Sequence, residues 1–260
     1  MRRIATLFVL SAVLLSAHSA AAFEIGAKGA YWLPEFSGTF RLDSNGIVGT
    51  PVDLADDLGI KDDNPFFGEV WLWIGDHHLI LSGMKVDYSG EEILSRDIIF
   101  GGQTFVVGGR AYTSLKYNML DLAYQYDLID LENPLGGFSL GPILQVKYLD
   151  GKVEVGGDGD VNGVTGHVEE SETFKFPIPM IGLGTHVGVL ANWLELRGRA
   201  VGMGYQGDSI LDLQGELALT PFPFLDIVGG YRYFSIDVDR DDVLLDYRQS
   251  GPYVGAALVF

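Results

Sequence analysis

The sequence contains no cysteine among its 260 residues. That absence excludes disulfides, thiolate metal sites and a cysteine nucleophile, so the fold depends on hydrogen bonds and packing. Beyond its first residues the chain also lacks an uninterrupted apolar run of about 18 or more residues, which is the length that a membrane-spanning helix needs. The sequence therefore argues against a helical membrane protein.

Basic residues are scarce, because 17 lysines and arginines stand against 35 aspartates and glutamates, and the formal net charge is −18. This charge repels nucleic acid, so we expect no nucleic acid among the partners. The chain is nevertheless 47% hydrophobic, with a mean hydropathy of +0.19. Charged and apolar surfaces are therefore predicted to occupy separate zones of the molecule.

The first 22 residues have the parts of a secretory signal. Arg2 and Arg3 form a positive start, residues 4 to 15 are apolar, and small residues precede the expected cleavage point after Ala22. Residues 1 to 22 are therefore predicted to be a cleavable signal peptide. Residues 23 to 260 are enough for one barrel or sandwich domain.

Apolar and polar residues alternate along much of the remaining chain. In residues 209 to 220, Leu211 and Leu213 share one face while Asp212 and Gln214 share the other. This alternation indicates strands with one apolar and one polar face. We predict about ten of them, near residues 23–34, 66–75, 79–100, 104–128, 137–155, 167–189, 193–205, 209–220, 224–238 and 244–260.

The final strand ends on an aromatic residue, Phe260, and its alternate residues are apolar. Aromatic residues also cluster near the ends of other predicted strands, among them Tyr31, Trp32, Trp71 and Trp73. With the signal peptide, this pattern resembles the small outer-membrane β-barrel proteins of Gram-negative bacteria. A soluble β-sandwich is the alternative.

The resemblance implies an all-β fold, a transmembrane antiparallel up-and-down β-barrel of about ten strands, with eight as the alternative. It implies export through the periplasm to the outer membrane of a Gram-negative bacterium. The expected partners are outer-membrane lipids, lipopolysaccharide and, through Phe260, the barrel-assembly machinery.

Long connections are predicted to face the exterior, at residues 35–65, 156–166 and 237–243. The first and last of these are acidic. Within the first, Thr50 and Gly59 are placed to begin and end a short helix. Residues 79 to 128 are predicted to form a long hairpin that turns at Gly101 and Gly102.

The polar faces of the predicted strands point into the barrel and carry both signs of charge, with Lys85 and Asp87 included. A turn over residues 206 to 209 would place Arg199 opposite Glu216 as a cross-strand ion pair. The interior is either a structural plug or a narrow selective pore. The predicted ion network comprises Glu195, Arg197, Arg199, Asp212, Glu216 and Arg232.

Residues 158 to 169 have the spacing of an EF-hand calcium loop. The predicted ligands are Asp158, Asp160, Asn162 and Glu169. Strands rather than helices flank the segment, and an acidic hairpin tip explains the spacing equally well. Both interpretations of this segment, a calcium loop and an acidic hairpin tip, stay open. No other cofactor is expected.

Prolines interrupt two predicted neighbouring strands, with Pro142 in one and Pro177 and Pro179 in the other. Because proline removes a hydrogen bond from a β-ladder, the wall between these strands is predicted to be locally unzipped. This resembles barrel enzymes that move acyl chains between lipids, in which a weakened seam admits lipid laterally. A bulge without functional consequence is the other interpretation.

No catalytic residue is predicted. His167 is the histidine best placed outside the membrane, but it lacks triad spacing and does not reproduce the Asp/His constellation of the omptin proteases, which share a ten-stranded barrel. We therefore expect a non-enzymatic outer-membrane protein, either structural or a narrow selective channel with long acidic extracellular loops. The alternatives are a lipid-modifying barrel enzyme with lateral lipid access, or a surface adhesion or binding module.

Overall fold

The computed structural model describes residues 23–61, 63–133, 136–161, 164–190, 193–240 and 242–260. The predicted signal peptide, residues 1 to 22, lies outside the described residues. Within the described part, the regular secondary structure is entirely β. None of these residues belongs to a helix long and apolar enough to cross a membrane.

Fifteen strands are present in the described residues. In chain order they are β1 (Phe23–Trp32), β2 (Glu35–Leu42), β3 (Val52–Asp53), β4 (Phe66–Ile74), β5 (His77–Ile93), β6 (Ile98–Phe100), β7 (Gln103–Phe105), β8 (Arg110–Tyr126), β9 (Ile129–Asn133), β10 (Gly136–Val161), β11 (Val164–Val189), β12 (Leu194–Tyr205), β13 (Asp208–Phe222), β14 (Leu225–Arg240) and β15 (Val243–Val259).

Ten of these strands form a closed antiparallel barrel. The neighbours follow the order β1, β4, β5, β8, β10, β11, β12, β13, β14 and β15, and pairing of β1 with β15 closes the cylinder. Each strand pairs with the next barrel strand along the chain, which is the up-and-down arrangement. The predicted all-β, ten-strand barrel is confirmed.

The alternation in the sequence separates the two faces of the wall. Asp212 is buried inside the barrel, while Leu211 and Leu213 beside it are exposed on the outside. The same holds around the cylinder, where Ile25, Leu144 and other large apolar residues stay exposed. An outward apolar belt of this kind matches hydrocarbon rather than water.

The barrel rim is tall on one side and low on the other. Strands β10 and β11 have 26 residues each, far more than the ~9 to 11 that cross a bilayer. By contrast, the β12–β13 hairpin turns at Gln206 and Gly207, whose φ angles of 52° and 104° both lie in the left-handed region. The barrel wall is therefore low at this hairpin.

That two-residue turn corrects one predicted ion pair. Tyr205 pairs with Asp208, so Arg197 lies opposite Glu216 and Arg199 lies opposite Gln214. The four-residue turn assumed from the sequence shifted the register by two residues. The prediction that Arg199 faces Glu216 directly across the ladder is therefore wrong.

The predicted short helix over residues 50 to 59 is also wrong. Val52 and Asp53 form β3, and only isolated turns follow, such as the bond from the Gly59 N–H to the Ala55 carbonyl at 3.0 Å. The Asp53 side chain caps these turns by accepting from the Ala55 N–H at 2.9 Å. Thr50 does not serve as the cap, because its Oγ1 accepts from the Ile99 N–H at 3.0 Å.

The β6–β7 hairpin, residues 98 to 105, crosses the outer mouth of the barrel, and we call it the lid hairpin. It turns at Gly101 and Gly102, as predicted, but breaks on both sides separate it from β5 and β8. The Gly101 N–H donates to the Leu42 carbonyl of β2 at 3.3 Å, and Phe105 pairs with Gly159 of β10. The lid hairpin therefore connects opposite sides of the rim.

The first connection completes the wall above the membrane on one side. Strand β2 pairs with β15, β3 pairs with β2, and Ile60 forms a bridge with Gly90 of β5. Beyond the point where β1 and β4 end, this part of the chain therefore continues the cylinder between β15 and β5.

On the opposite side the wall has a gap. The β11–β12 ladder ends where Ile181 pairs with Gly202, and β12 itself ends at Tyr205. Among the described residues, no strand pairs with this edge of β11 over residues 164 to 180. We call this missing stretch of wall the lateral gap.

The lateral gap lies at a different seam from the one predicted. The β10–β11 ladder is continuous from Phe138 to Val161, and Pro142 lies within it opposite Leu183. The predicted unzipping between these two strands is therefore wrong. Pro177 and Pro179 lie just beyond the last β11–β12 pair, and an unpartnered strand edge tolerates proline because the missing N–H has no bond to make there.

Candidate functional site

A buried lysine lies at the centre of the barrel. Lys147 is 0% exposed, and its Nζ donates to Asp121 Oδ1 at 2.7 Å and to Asp212 Oδ2 at 2.9 Å. Arg232 Nη2 donates to the same Asp212 oxygen at 2.7 Å. These four residues come from β8, β10, β13 and β14, so the ion pairs span the lumen from wall to wall.

A second set of ion pairs lies next to the first. Lys28 Nζ contacts Glu216 Oε2 at 2.7 Å and Glu69 Oε1 at 3.1 Å. Glu69 also accepts from Arg199 Nη2 at 3.0 Å. Each carboxylate in this set therefore has a cationic partner, as a buried charge requires.

Arg197 extends the network toward the N-terminal ends of β1 and β14. Its guanidinium contacts Glu195 Oε2 at 2.5 Å, Asp226 Oδ2 at 3.1 Å and Glu216 Oε1 at 3.4 Å. We call the whole network the plug. Its members are Lys28, Glu69, Asp121, Lys147, Glu195, Arg197, Arg199, Asp212, Glu216, Asp226 and Arg232.

All six residues of the predicted ion network lie in the plug. The prediction for Lys85 and Asp87 is wrong, because both are exposed on the outside of β5, while Met84, Val86 and Tyr88 are buried inside. At this height the outer surface meets water rather than lipid, so polar residues occupy the outward face. The simple assignment of polar residues to the lumen therefore fails above the membrane.

Below the plug is a small polar cavity of about 90 Å³. His78 Nε2 contacts Asp127 Oδ2 at 3.0 Å on its border, and the Trp73 ring centroid is 4.7 Å from that of His78. Trp32, Trp71 and Trp73 thus face the interior instead of forming part of an outer aromatic girdle. Burial raises the pKa of the Asp127 carboxyl, but hydrogen bonds from His78 and other polar groups outweigh it and hold the pKa below its ordinary value.

Above the plug is an apolar cavity of about 470 Å³, which we call the chamber. Leu149, Ile210 and Phe234 line it from three strands of the barrel. The Phe234 ring centroid is 5.0 Å from Lys147 Nζ, so the same ring contacts both plug and chamber. The plug therefore forms the floor of the chamber.

Two tyrosines complete the chamber wall near the floor. The Tyr117 and Tyr247 hydroxyls are 2.7 Å apart, and Tyr117 also donates to Gln249 Oε1 at 2.9 Å. Their polar atoms are thus bonded to each other and to the amide. The rings present mainly apolar surface to the chamber.

Solved structures share this architecture. The outer membrane protease OmpT from Escherichia coli matches with a TM-score of 0.62 at 13% identity, over 93% of this chain and 99% of OmpT. This chain has the fold of a Gram-negative outer-membrane β-barrel. At this identity the likeness concerns the fold alone, and the proteolytic activity is that of OmpT.

Other outer-membrane proteins align less well with this chain. Neisserial surface protein A matches with a TM-score of 0.31 at 15% identity, over 92% of this chain and 99% of that protein. OprG from Pseudomonas aeruginosa matches with a TM-score of 0.28 at 11% identity, over 93% and 96%. No protein-family model and no curated protein matches the sequence.

The predicted calcium segment forms the tip of the β10–β11 hairpin of this outer-membrane barrel. Asp158 Oδ2 accepts from the Arg110 N–H at 3.1 Å, and Glu169 Oε2 accepts from the Tyr112 hydroxyl at 3.1 Å. The side chains of Asp160 and Asn162 lie outside the described residues. Among the side chains that are described, no group of three or more potential His, Asp or Glu ligands is assembled, so calcium binding stays a prediction.

His167 lies outside the outer-membrane barrel, away from the chamber. Its Nε2 is 3.3 Å from the Tyr112 hydroxyl, and the two rings stack with centroids 5.9 Å apart.

The sequence offered no signal for the chamber itself, because its lining residues come from seven strands and the first connection. Only the fold brings them together.

Proposed function

We propose that this protein is a non-enzymatic outer-membrane barrel of a Gram-negative bacterium whose lumen is closed to ions. The observation that carries the proposal is the plug, in which Lys147 and Arg232 bridge opposite walls through Asp212 and Asp121. Between Phe67, Asp121 and Arg232, the described side chains leave no room for a water molecule. We therefore expect the plug to interrupt any water column through the lumen at this level.

The energetics of the plug also favour a closed barrel over a selective channel. Separating a buried ion pair leaves uncompensated charges, and removing one partner of such a pair typically costs about 3 to 5 kcal/mol. Opening a path past Lys147 would break several pairs together. Open aqueous channels belong to barrels of about 16 strands, whose lumen is much wider.

Planar-bilayer recordings of refolded residues 23 to 260 test the closed state. We expect no stable conductance, with refolding verified by the slower gel migration of the sample after boiling. A reproducible single-channel current would overturn the proposal and favour the narrow selective channel. Lys152→Ala serves as a control, because Lys152 pairs with Glu154 near the surface and is not part of the plug.

Two assays test the non-enzymatic part of the proposal. The lipid-modifying alternative requires a change in lipid A acyl content between cells with and without the protein, and we expect none. The likeness to a protease fold calls for peptide-cleavage measurements as well, in which we expect no activity above the background of empty vesicles. A gain in either assay would replace the proposal with an enzymatic one.

The partners belong to the same proposal. The exposed apolar belt would contact outer-membrane lipids, and the rim would meet lipopolysaccharide. Phe260 would present the C-terminal signal to the barrel-assembly machinery. In the folded chain its N–H donates to the Ile25 carbonyl at 2.8 Å, and its ring stacks on Phe224 with centroids 5.7 Å apart.

A further inference from the structure

The chamber is closed below and above. The plug forms its floor, as the contact between Phe234 and Lys147 demonstrates. Over the mouth, the lid hairpin buries Ile98, Phe100 and Phe105, and the Phe100 ring centroid is 5.4 Å from that of Phe40, a chamber residue. Entry from either end of the barrel is therefore obstructed.

The side of the chamber is open at the lateral gap. Phe174 and Phe176 face inward from β11 and line the chamber, yet Phe176 remains 40% exposed. Across the gap, Ile210 of β13 lines the same cavity. In a complete barrel an inward Phe would be covered by the neighbouring strand, so this exposure marks an entrance.

The lower edge of the gap lies at the outer boundary of the apolar belt. The 12 residues of β12 slightly exceed the ~9 to 11 needed to cross the hydrocarbon region. Trp193 at one end of this strand is 63% exposed and Tyr205 at the other is 59% exposed, as expected of side chains at the two membrane interfaces. The gap thus begins where the outer leaflet ends.

Outward residues on β11 also place the lower edge of the gap at the outer boundary of the apolar belt. Ile181, the last residue paired with β12, is exposed and apolar. Lys175, six residues farther toward the hairpin tip, is exposed and pairs with Asp150 at 3.2 Å. The wall therefore changes from lipid-facing to water-facing alongside the entrance.

The chamber lining selects an uncharged ligand. Among the described lining residues the single charged side chain is Glu172, and no lysine or arginine is present to neutralise an anionic head group. A volume of about 470 Å³ falls within the range of about 300 to 1,000 Å³ found for small-molecule sites. A hydrocarbon chain meets both conditions if its head group stays outside.

We propose that the chamber binds a hydrocarbon chain of an outer-leaflet lipid, which enters sideways through the lateral gap. The apolar lining keeps the chain out of water once it leaves the hydrocarbon layer, so lateral entry does not expose the chain. The plug stops the chain at the floor, and the lid hairpin shields it from external water. The head group remains in the interfacial layer, outside Pro177 and Pro179.

A photoreactive lipid tests this proposal directly. Refolded protein is placed in phosphatidylcholine vesicles in which one acyl chain ends in a diazirine, irradiated, digested and mapped by mass spectrometry. We expect adducts on inward chamber residues such as Phe174, Ile236 and Leu245. Adducts confined to outward belt residues such as Ile181 and Leu183 would overturn the proposal.

A second arm separates the lipid from a water-borne hydrocarbon. A short alkane carrying a diazirine is added from water to protein in vesicles that lack the photoreactive lipid. Labelling of the chamber by both probes agrees with lateral entry of a lipid chain. Labelling by the alkane without labelling by the lipid would overturn the outer-leaflet source.

Filling the chamber provides the matched variant. Val153→Trp places a large ring in the chamber, whereas Lys152→Trp places the same ring on the opposite face of the same strand. We expect chamber adducts to be lost in the first and retained in the second. Undiminished adducts in Val153→Trp would overturn the proposal, and Leu245→Trp on another strand replaces it if the first variant does not refold.

Discussion

At the scale of single residues, the barrel depends on charges that have no access to solvent. Lys147 is surrounded by Asp121, Asp212 and the Phe234 ring, and Asp212 in turn holds Arg232. Such a group contributes little when intact, since desolvation offsets attraction, but removal of Lys147 leaves two buried carboxylates that share one remaining cation, Arg232. The plug is therefore most sensitive to loss of one member.

Lys147→Met should lower the free energy of unfolding by about 3 to 5 kcal/mol, because Asp121 and Asp212 then keep only Arg232 as a common cation. Urea unfolding in vesicles, followed by tryptophan fluorescence, measures the change. The matched variant Lys152→Met breaks an ion pair that is partly exposed, and such pairs contribute about 0 to 1 kcal/mol. Equal losses in the two variants would contradict the structural account of the plug.

One glycine lies in the two-residue turn that sets the register of the β12–β13 hairpin. Gly207 has a φ of 104°, and a Cβ at this position would meet no atom within 4 Å, so a substitution is opposed by backbone strain rather than by crowding. Gly207→Val should destabilise the barrel by about 1 to 3 kcal/mol.

Gly215→Val is the control for Gly207→Val. A Cβ there also has open space, and the φ of Gly215 is not in the left-handed region. We expect a smaller shift of the urea midpoint for this variant. If Gly215→Val proves as destabilising as Gly207→Val, strain at the turn is not the cause.

At the scale of elements, the lid hairpin is held by a few specific bonds. Arg96 precedes it and donates from Nη2 to Asp57 Oδ2 at 2.7 Å and to the Pro51 carbonyl at 3.0 Å. Burial raises the pKa of Asp57, but the Arg96 bond and the Asp53 N–H outweigh it, so the pKa lies below its ordinary value of 3.8. This carboxylate therefore stays ionised at neutral and mildly acidic pH.

The lid hairpin should loosen only in strong acid. Because the folded pKa of Asp57 is lowered, its stabilising effect is complete well above pH 3.8 and is lost as pH falls through the folded pKa. Hydrogen-exchange protection factors of residues 98 to 105 should stay constant from about pH 7 to pH 5 and fall once the pH drops below the ordinary pKa of 3.8.

Two variants test whether the acid dependence of this protection arises at Asp57. Asp57→Asn should reduce the protection at neutral pH and weaken its acid dependence, because it removes the charge that holds Arg96. Asp56→Asn changes an exposed neighbour and should leave the protection unchanged. An identical response of the two variants would show that the Arg96 bond does not anchor the lid hairpin.

Strand positions follow from the sequence because lipid imposes one requirement on all outward residues within the belt. Leu211, Asp212 and Leu213 alternate for that reason, and the structure places them as the pattern predicts. The rule fails for Lys85 and Asp87, where both faces lie beyond lipid. The alternation rule also cannot predict the lateral gap, because residues 164 to 180 alternate in the same way whether or not another strand pairs with them.

The candidate site was only partly predictable from the sequence. Inward charges such as Arg197 and Glu216 could be found from their parity, but their pairing depended on whether the turn at Gln206 and Gly207 had two residues or four. The chamber joins residues as distant as Leu54 and Leu245. Nothing in local sequence connects such positions before the cylinder closes.

At the scale of the whole molecule, one ladder makes the sheet a cylinder. Strands β1 and β15 pair from Gly26 with Val259 to Trp32 with Tyr253. Because this closure removes the free sheet edges within the membrane, the folded barrel should resist sodium dodecyl sulfate at room temperature. Unboiled refolded protein should migrate faster on a gel than boiled protein.

A truncated chain tests closure as the source of that resistance. Deletion of residues 244 to 260 removes all but the first residue of β15, so β1, β2 and β14 each lose one neighbouring strand. This variant should migrate identically before and after boiling. A heat-dependent shift that persists without β15 would mean that the observed resistance does not come from the closed cylinder.

The seal across the middle of the cylinder gives the molecule a direction. A guest taken in above Lys147 faces a barrier of paired charges on its inner side, so its way out is the opening by which it came in. If the chamber holds a lipid tail, as we propose, the protein would hold or present that tail at the cell surface, and carrying it inward would require the central salt links to separate first.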